Sequence, residues 1–300
     1  MISGILEITT PGKYLSINRG LIEISEKGSV VGTVPFDSIN SVLISSIGVT
    51  LSTNLIVKLS ENLVPIFICG ADYLPKTLIT PLVSATTYST RFDLQLKASK
   101  PFIKTIWSSI VKQKILNQAY VLDRFGFDAQ ILKSHASGLR SGDPLNREAT
   151  AAQYYWKNIF EKDFRRSDEA NNINAFLNYG YTVLRSAVAR SIYVSGLDPY
   201  FGLHHSNKSN PLALVDDFVE PYRPVVDLII KSSDFDFEEG LTPKSKEKLA
   251  AVLNLDIVFS NETSTLYNSM FKLLASYVHS LKQKKDLVEF PNFKEFFINY

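Results

Sequence analysis

Up to about residue 85 the hydrophobic positions alternate with polar ones, the period of a strand that buries one face. The alternation predicts strands over residues 4–8, 13–18, 21–25, 29–34 and 39–44. Pro11-Gly12, Arg19-Gly20 and Lys27-Gly28 fall between these runs. They supply the fixed or positive φ that a tight reversal needs, so the spacing suggests hairpins. A helix is predicted over residues 53–61, where Leu55, Ile56 and Leu59 share one face, and residues 64–68 return to a strand. From Ser89 the period lengthens to that of helices, predicted over residues 91–99, 102 to about 123, 147–162, 173–194, 244–253 and 262–281. The acidic run 234–240 reads as an exposed loop. The change of period lies near residues 83–88. It predicts an α+β chain with a mainly-β domain over residues 1–85 and a larger all-α domain over residues 89–300.

Composition adds limits. A chain of 300 residues that is 45% hydrophobic can bury a sizeable core. Lys and Arg total 32 against 30 for Asp and Glu, a net charge of +2, so any nucleic-acid contact has to come from local patches and not from a global field. The apolar runs are short, as in residues 63–69 with Pro65 inside, well below the roughly 20 residues that span a bilayer. No membrane span is expected, the first residues do not read as a secretory signal, and a cytoplasmic protein is the expectation. A single cysteine, Cys69, excludes an intrachain disulfide and a cysteine-rich zinc site.

The densest run of chemistry-bearing residue types spans residues 196–205 and 212–224. It contains the adjacent His204 and His205, then Asp216, Asp217 and Glu220. Imidazole and carboxylates without a thiolate suit Mn²⁺ or Mg²⁺ better than zinc. On a helix Asp217 and Glu220 face the same way and Asp216 does not. Pro221 either disfavours helical geometry at Glu220 or marks the first turn of a new helix, and Arg223 is spaced to pair with Glu220. Earlier in the chain Glu148 stands at a helix start, on one face with Ala152 and Tyr155. Taken singly, the histidines also fit a surface loop, the acids a solvated helix face, and Glu148 a helix-dipole partner.

In combination, Glu148-Ala149-Thr150-Ala151-Ala152-Gln153-Tyr154-Tyr155-Trp156, Leu177-Asn178-Tyr179-Gly180-Tyr181-Thr182-Val183-Leu184, Gly196-Leu197-Asp198-Pro199, Gly202-Leu203-His204-His205 and Asp217-Phe218-Val219-Glu220-Pro221-Tyr222-Arg223-Pro224 resemble the CRISPR-associated integrase family, in the branch found with single-protein effector systems. The motifs stand in the family's order and spacing. Phe218-Val219 replaces the Leu-Met of many members and keeps the apolar packing. The resemblance implies that Glu148, His205 and Glu220 bind a divalent ion, Mg²⁺ or Mn²⁺, with Asp217 in support and His204 the weaker candidate. It implies insertion of short DNA fragments (spacers) into a CRISPR array by attack of a 3′-hydroxyl on repeat DNA, a transesterification without a nucleotide cofactor. The implied partners are double-stranded DNA, a second copy of the chain joined through the β domain, and a small dimeric CRISPR-associated adaptation protein. Two other readings stay open: a hydrolytic metal nuclease acting on branched DNA, and a DNA-binding scaffold with a vestigial site. Candidate phosphate contacts are Arg91, Lys97, Lys100, Lys104, Lys112 and Lys114 on the first long helices, and Lys133, Arg140, Arg147, Lys162, Arg165 and Arg166 around the first ligand segment. Asn178, Tyr179, Tyr181 and Arg185 lie in the motif helix near the expected site.

Overall fold

Strand β1 (Gly4–Ile8) leads into three strands whose reversals the sequence dictates: β2 (Lys13–Asn18), β3 (Leu21–Glu26) and β4 (Ser29–Pro35). Arg19 and Gly20 take φ of 47° and 80°, and Lys27 and Gly28 take 49° and 82°. Two successive positive φ values match the twist of antiparallel neighbours, so β2, β3 and β4 form a meander. This is seen in the computed structural model of the chain, which describes residues 4–70, 75–79, 86–160, 164–168, 171–205, 207 and 209–299. The chain divides into two compact units, Met1–Ala85 and Thr86–Tyr300.

In the first unit β5 (Ile39–Ile44) and β6 (Thr50–Leu51) are followed by α1 (Thr53–Glu61), β7 (Ile66–Cys69) and β8 (Pro75–Ile79). Ser52 caps α1 by accepting from the Leu55 amide. The strands make two four-stranded sheets, ordered β4-β3-β2-β6 and β1-β5-β7-β8. The hairpin expectation holds for β2 to β4 but not for β1, which pairs in parallel with β5. The meander is the connection between them, and a parallel pair needs a crossover of that kind. Leu6, Ile8, Leu15, Ile22, Val42, Leu55, Leu59 and Ile66 close one buried cluster.

The second unit begins with α2 (Thr86–Leu96) and α3 (Lys100–Arg124). The helix expected over residues 91–99 therefore starts and stops earlier. It stops because Ser99 takes extended geometry (φ −73°, ψ 146°) to cap α3, with Pro101 in the first turn where its missing N–H costs nothing. There follow α4 (Gln130–Ser137), absent from the sequence expectation, α5 (Arg147–Ile159), α6 (Asn172–Val194), α7 (Ala213–Val219), a 3₁₀ turn Glu220–Tyr222, and α8 (Arg223–Ser232). Of the predicted 147–162 helix, residues 161 and 162 lie outside the described residues. Helix α9 (Pro243–Ala250) follows the acidic loop, and residues 262–265, expected to be helical, are strand β10 (Glu262–Thr265) paired with β9 (Asp256–Phe259). Ser260 and Asn261, at φ 50° and 66°, turn that hairpin, and Thr265 ends it by capping α10 (Leu266–Gln283). The unit is thus mainly helical and not all-α. Helix α11 (Phe293–Asn299) is last. No helix of the described residues is long and apolar enough to cross a membrane.

Helix α3 packs against α4, α5, α8, α11 and the 3₁₀ turn, and buries Ile106, Trp107, Ile110, Val111, Ile115 and Ala119. Helix α6 meets α8 at Gly180, where an added Cβ would lie 2.5 Å from Val226 Cγ1. Glycine there sets how closely the two helices approach.

Candidate active site

Helix α5 is aimed by the turn before it. Asp143, at φ 46°, accepts from the Arg147 amide (2.9 Å, Oδ1) and the Glu148 amide (2.9 Å, Oδ2), fixing the first turn and the root of Glu148. Glu148 Oε1 then accepts from the Lys114 ammonium at 2.7 Å. The same Nζ lies 2.6 Å from Glu220 Oε2, an ion pair without the alignment of a good hydrogen bond. Two glutamates distant in sequence thus meet at one cationic atom of α3. Glu220 Oε1 pairs with Arg223 Nε at 2.8 Å, and the turn that carries Glu220 is tied to α3 where Asn117 Nδ2 donates to the Pro221 carbonyl at 2.7 Å. Pro221 lies in the 3₁₀ turn that links α7 to α8, so it starts a new helical segment and leaves Glu220 helical.

Burial alone would raise the Glu220 carboxyl. The Arg223 guanidinium and the Lys114 ammonium outweigh burial and hold it at about 2. Burial would likewise lower the Lys114 ammonium, but the fields of Glu220 and Glu148 keep it raised.

Asp217, fully buried, organises the histidine loop. It accepts from the amides of Leu203, His204 (3.2 Å) and His205 (3.3 Å), and its Oδ1 is 2.7 Å from His205 Nδ1. The Asp217 hydrogen bond is the main cause that raises His205, against burial and with help from the charge of Glu220. With a carboxylate accepting at Nδ1, the neutral imidazole carries its lone pair on Nε2. The approach needs Gly202, because a Cβ there would stand 2.4 Å from the His205 carbonyl oxygen and 3.1 Å from Asp217 Oδ2. His204 stacks on Trp107 of α3 with ring centroids 4.6 Å apart and planes 4° from parallel, and the His205 ring stands edge-on to both.

A buried network lies behind Glu220. Asp227 accepts from the Tyr155 hydroxyl (2.9 Å) and from that of Tyr181, whose ring faces the Arg223 guanidinium at 4.7 Å. Burial pushes Asp227 up to about 6, even though both hydroxyls, Arg166 and Arg223 pull the other way. Asp216 is held by a two-bond pair with Arg185 (2.6 and 3.0 Å).

The structure therefore brings Glu148 and Glu220 to one point and couples His205 electrostatically to Glu220. Among the described residues no three ligand-type side chains are close enough around one point to hold a metal ion. The donor chemistry nevertheless fits a hard divalent cation: two carboxylates already share one cation, and an imidazole nitrogen is oriented by a carboxylate behind it. Of the candidate phosphate contacts, Lys114 is engaged by both glutamates, Lys133 pairs with Asp123 (2.6 Å) and Arg166 donates to Asn174 (2.9 Å). Lys100, Lys104, Lys112, Arg140 and Arg165 are exposed, and Lys162 lies outside the described residues. In sequence Lys114 stands only among the candidate phosphate contacts of the first long helices, and Trp107 is given no role. A cation seven residues along from a tryptophan, on the same face of an otherwise apolar helix, was the available signal.

The profile of the family described as CRISPR associated protein Cas1 matches residues 6–233. The CRISPR-associated endonuclease Cas1 of Neisseria meningitidis serogroup C (strain 8013) is 36% identical over 280 residues, covering 91% of this chain and 90% of that one. Among solved structures, a casposase bound to integration product superposes with a TM-score of 0.80 at 21% identity, covering 98% of this chain and 94% of that chain. A chain of a Cas6-RT-Cas1–Cas2 complex gives 0.77 at 17% identity, covering 96% of this chain and 36% of that chain. The matched span contains Glu148, His205, Glu220 and the α3 residues that tie them together, and this chain belongs to the CRISPR associated protein Cas1 family.

Proposed function

We propose that the chain is a divalent-metal-dependent DNA endonuclease and integrase that inserts DNA fragments into a CRISPR array. The observation that carries the reading is the meeting of Glu148 and Glu220 on one cation beside an Asp217-oriented His205. Glu148, Glu220 and His205 Nε2 would hold Mg²⁺ or Mn²⁺, which when bound neutralises phosphate charge and polarises the phosphorus–oxygen bonds. Asp217 keeps the Nδ1 proton in place, so that Nε2 presents its lone pair. Arg223 and Lys114 keep Glu220 ionised at any working pH, so no proton has to leave it when a cation arrives. In the reaction a fragment's 3′-hydroxyl gives up its proton to solvent as its oxygen bonds to a repeat phosphorus, the bond from that phosphorus to the repeat's own 3′-oxygen breaks, and the departing oxygen takes up a proton from solvent. The number of phosphodiesters is unchanged, so no nucleotide cofactor is needed.

The likeness to a casposase bound to integration product and to a chain of a complex that holds Cas1 and Cas2 supports DNA joining and a Cas2-like partner for this chain. We extend the reading to a homodimer assembled about that partner. Strand transfer of a short duplex into a supercoiled plasmid carrying a repeat tests the proposal. Joined product in Mg²⁺ or Mn²⁺, lost in Glu148→Ala, His205→Ala and Glu220→Ala while DNA affinity persists, is the expected outcome. Nicking without joining means a hydrolase, neither means a scaffold, and normal joining by His205→Ala overturns the assignment.

A further inference from the structure

Helix α3 carries one aromatic side chain to the site, and the loop after α6 lays another on top of it. Trp107 is 3% exposed, whereas His204, lying parallel on it, is exposed. Trp107 covers one face of the imidazole, which leaves the opposite face as the side on which a further ring could lie. The His204 ring makes no hydrogen bond among the described residues, and only its backbone amide is tied down, to Asp217. The loop does not need the stack to keep its course, because Asp217 already receives three successive amides. What the stack adds is a flat ring held rigid at the surface, with His205 edge-on beside it at 5.8 Å. Trp107 and Lys114 share a face of α3, so the platform is anchored to the helix that also fixes the two glutamates.

We propose that the outer face of His204, backed by Trp107, is the seat on which the terminal nucleobase of a DNA strand stacks when its 3′ end is presented to the site. The inference rests on the reading of the site as one that acts on DNA. Every base has a π-face, so stacking holds an end without reading its sequence, as a protein that handles fragments of many sequences requires. Phosphate contacts alone would hold the backbone but leave the last sugar free to swing. A stacked base restrains that sugar and its 3′-hydroxyl, which is the positional gain that counts for an in-line attack.

The test is a binding measurement on the full chain in EDTA, so that no strand transfer occurs. Fluorescence anisotropy compares a 5′-labelled single strand of about ten nucleotides with the same strand carrying an abasic 3′-terminal residue, which keeps every phosphate and removes only the base. The wild-type protein is expected to prefer the complete strand about tenfold. His204→Ala and His204→Leu should lose that preference, the leucine variant showing that apolar contact with Trp107 is not enough. His204→Phe should keep it, because a phenyl ring supplies the same flat face without any ring nitrogen. Equal affinity of the wild type for the two strands, a leucine variant that still discriminates, or a phenylalanine variant as poor as alanine overturns the proposal. A protein that discriminates in EDTA yet never joins DNA would refute the integrase reading and leave the stacking seat standing.

Discussion

Replacing Lys114 by methionine keeps the length and apolar stem of the side chain and removes the one charge shared by Glu148 and Glu220. The side chains of Lys114, Glu148 and Glu220 are 14%, 24% and 8% exposed, so solvent does not screen the pair freely. A carboxyl held at about 2 instead of 4.5 stabilises the fold by about 3 kcal/mol once ionised. Lys114 and Arg223 share that effect, and Arg223 remains in the variant. Loss of the ammonium also leaves Glu148 facing Glu220 without a counter-charge, and removing one partner of a buried pair typically costs about 3–5 kcal/mol. Allowing for the retained guanidinium and the part-exposed Glu148, Lys114→Met should lose about 2–3 kcal/mol at pH 7, a fall in melting temperature of roughly 5–10 °C. Because the folded-state value of Glu220 is depressed, its contribution is complete above pH 4.5 and is lost as pH falls toward 2. The gap between wild type and variant should therefore be widest at neutral pH and narrow below pH 4.5. Thermal unfolding by circular dichroism between pH 3 and 8 measures this, and millimolar Mn²⁺ at pH 7 should raise the variant's melting point more than the wild type's. An unchanged melting point at pH 7, or a gap that does not narrow in acid, would refute the reasoning.

Asp217→Asn should lower the raised His205 toward its ordinary range, because the amide cannot supply the carboxylate's charge, and NMR titration of the imidazole reads the shift. Gly180→Ala should cost about 1–3 kcal/mol in urea unfolding, since its methyl would sit on Val226, and a second change Val226→Ala should recover most of the loss; independent, additive costs would show that the close approach is not the cause. Light scattering of a chain beginning at Ser89 tests the proposed dimerisation through the first unit, which a stable dimer of the helical remainder contradicts.

Much of the local structure was written in neighbouring residues. Arg19-Gly20 and Lys27-Gly28 specify their turns through backbone φ alone, and the apolar stripe of α3 specifies a buried helix face through its period. The motif residues Glu148, His205, Asp217 and Glu220 could be singled out because their types and order resemble the family's motifs. Where long-range pairing decides, the sequence was silent or misleading. The partner of β1 is β5, across the whole meander, and residues 262–265 leave a helical pattern because β9 offers them a ladder. Lys114 reads in sequence as one more basic residue on a long helix, and His204 as the spare half of a pair. Only the packing of α3 against α5, the 3₁₀ turn and the histidine loop puts that ammonium between two glutamates and that imidazole on Trp107. Periodicity reports which face of a helix is buried, whereas the side chains that meet there are fixed by where other segments, distant in sequence, come to lie.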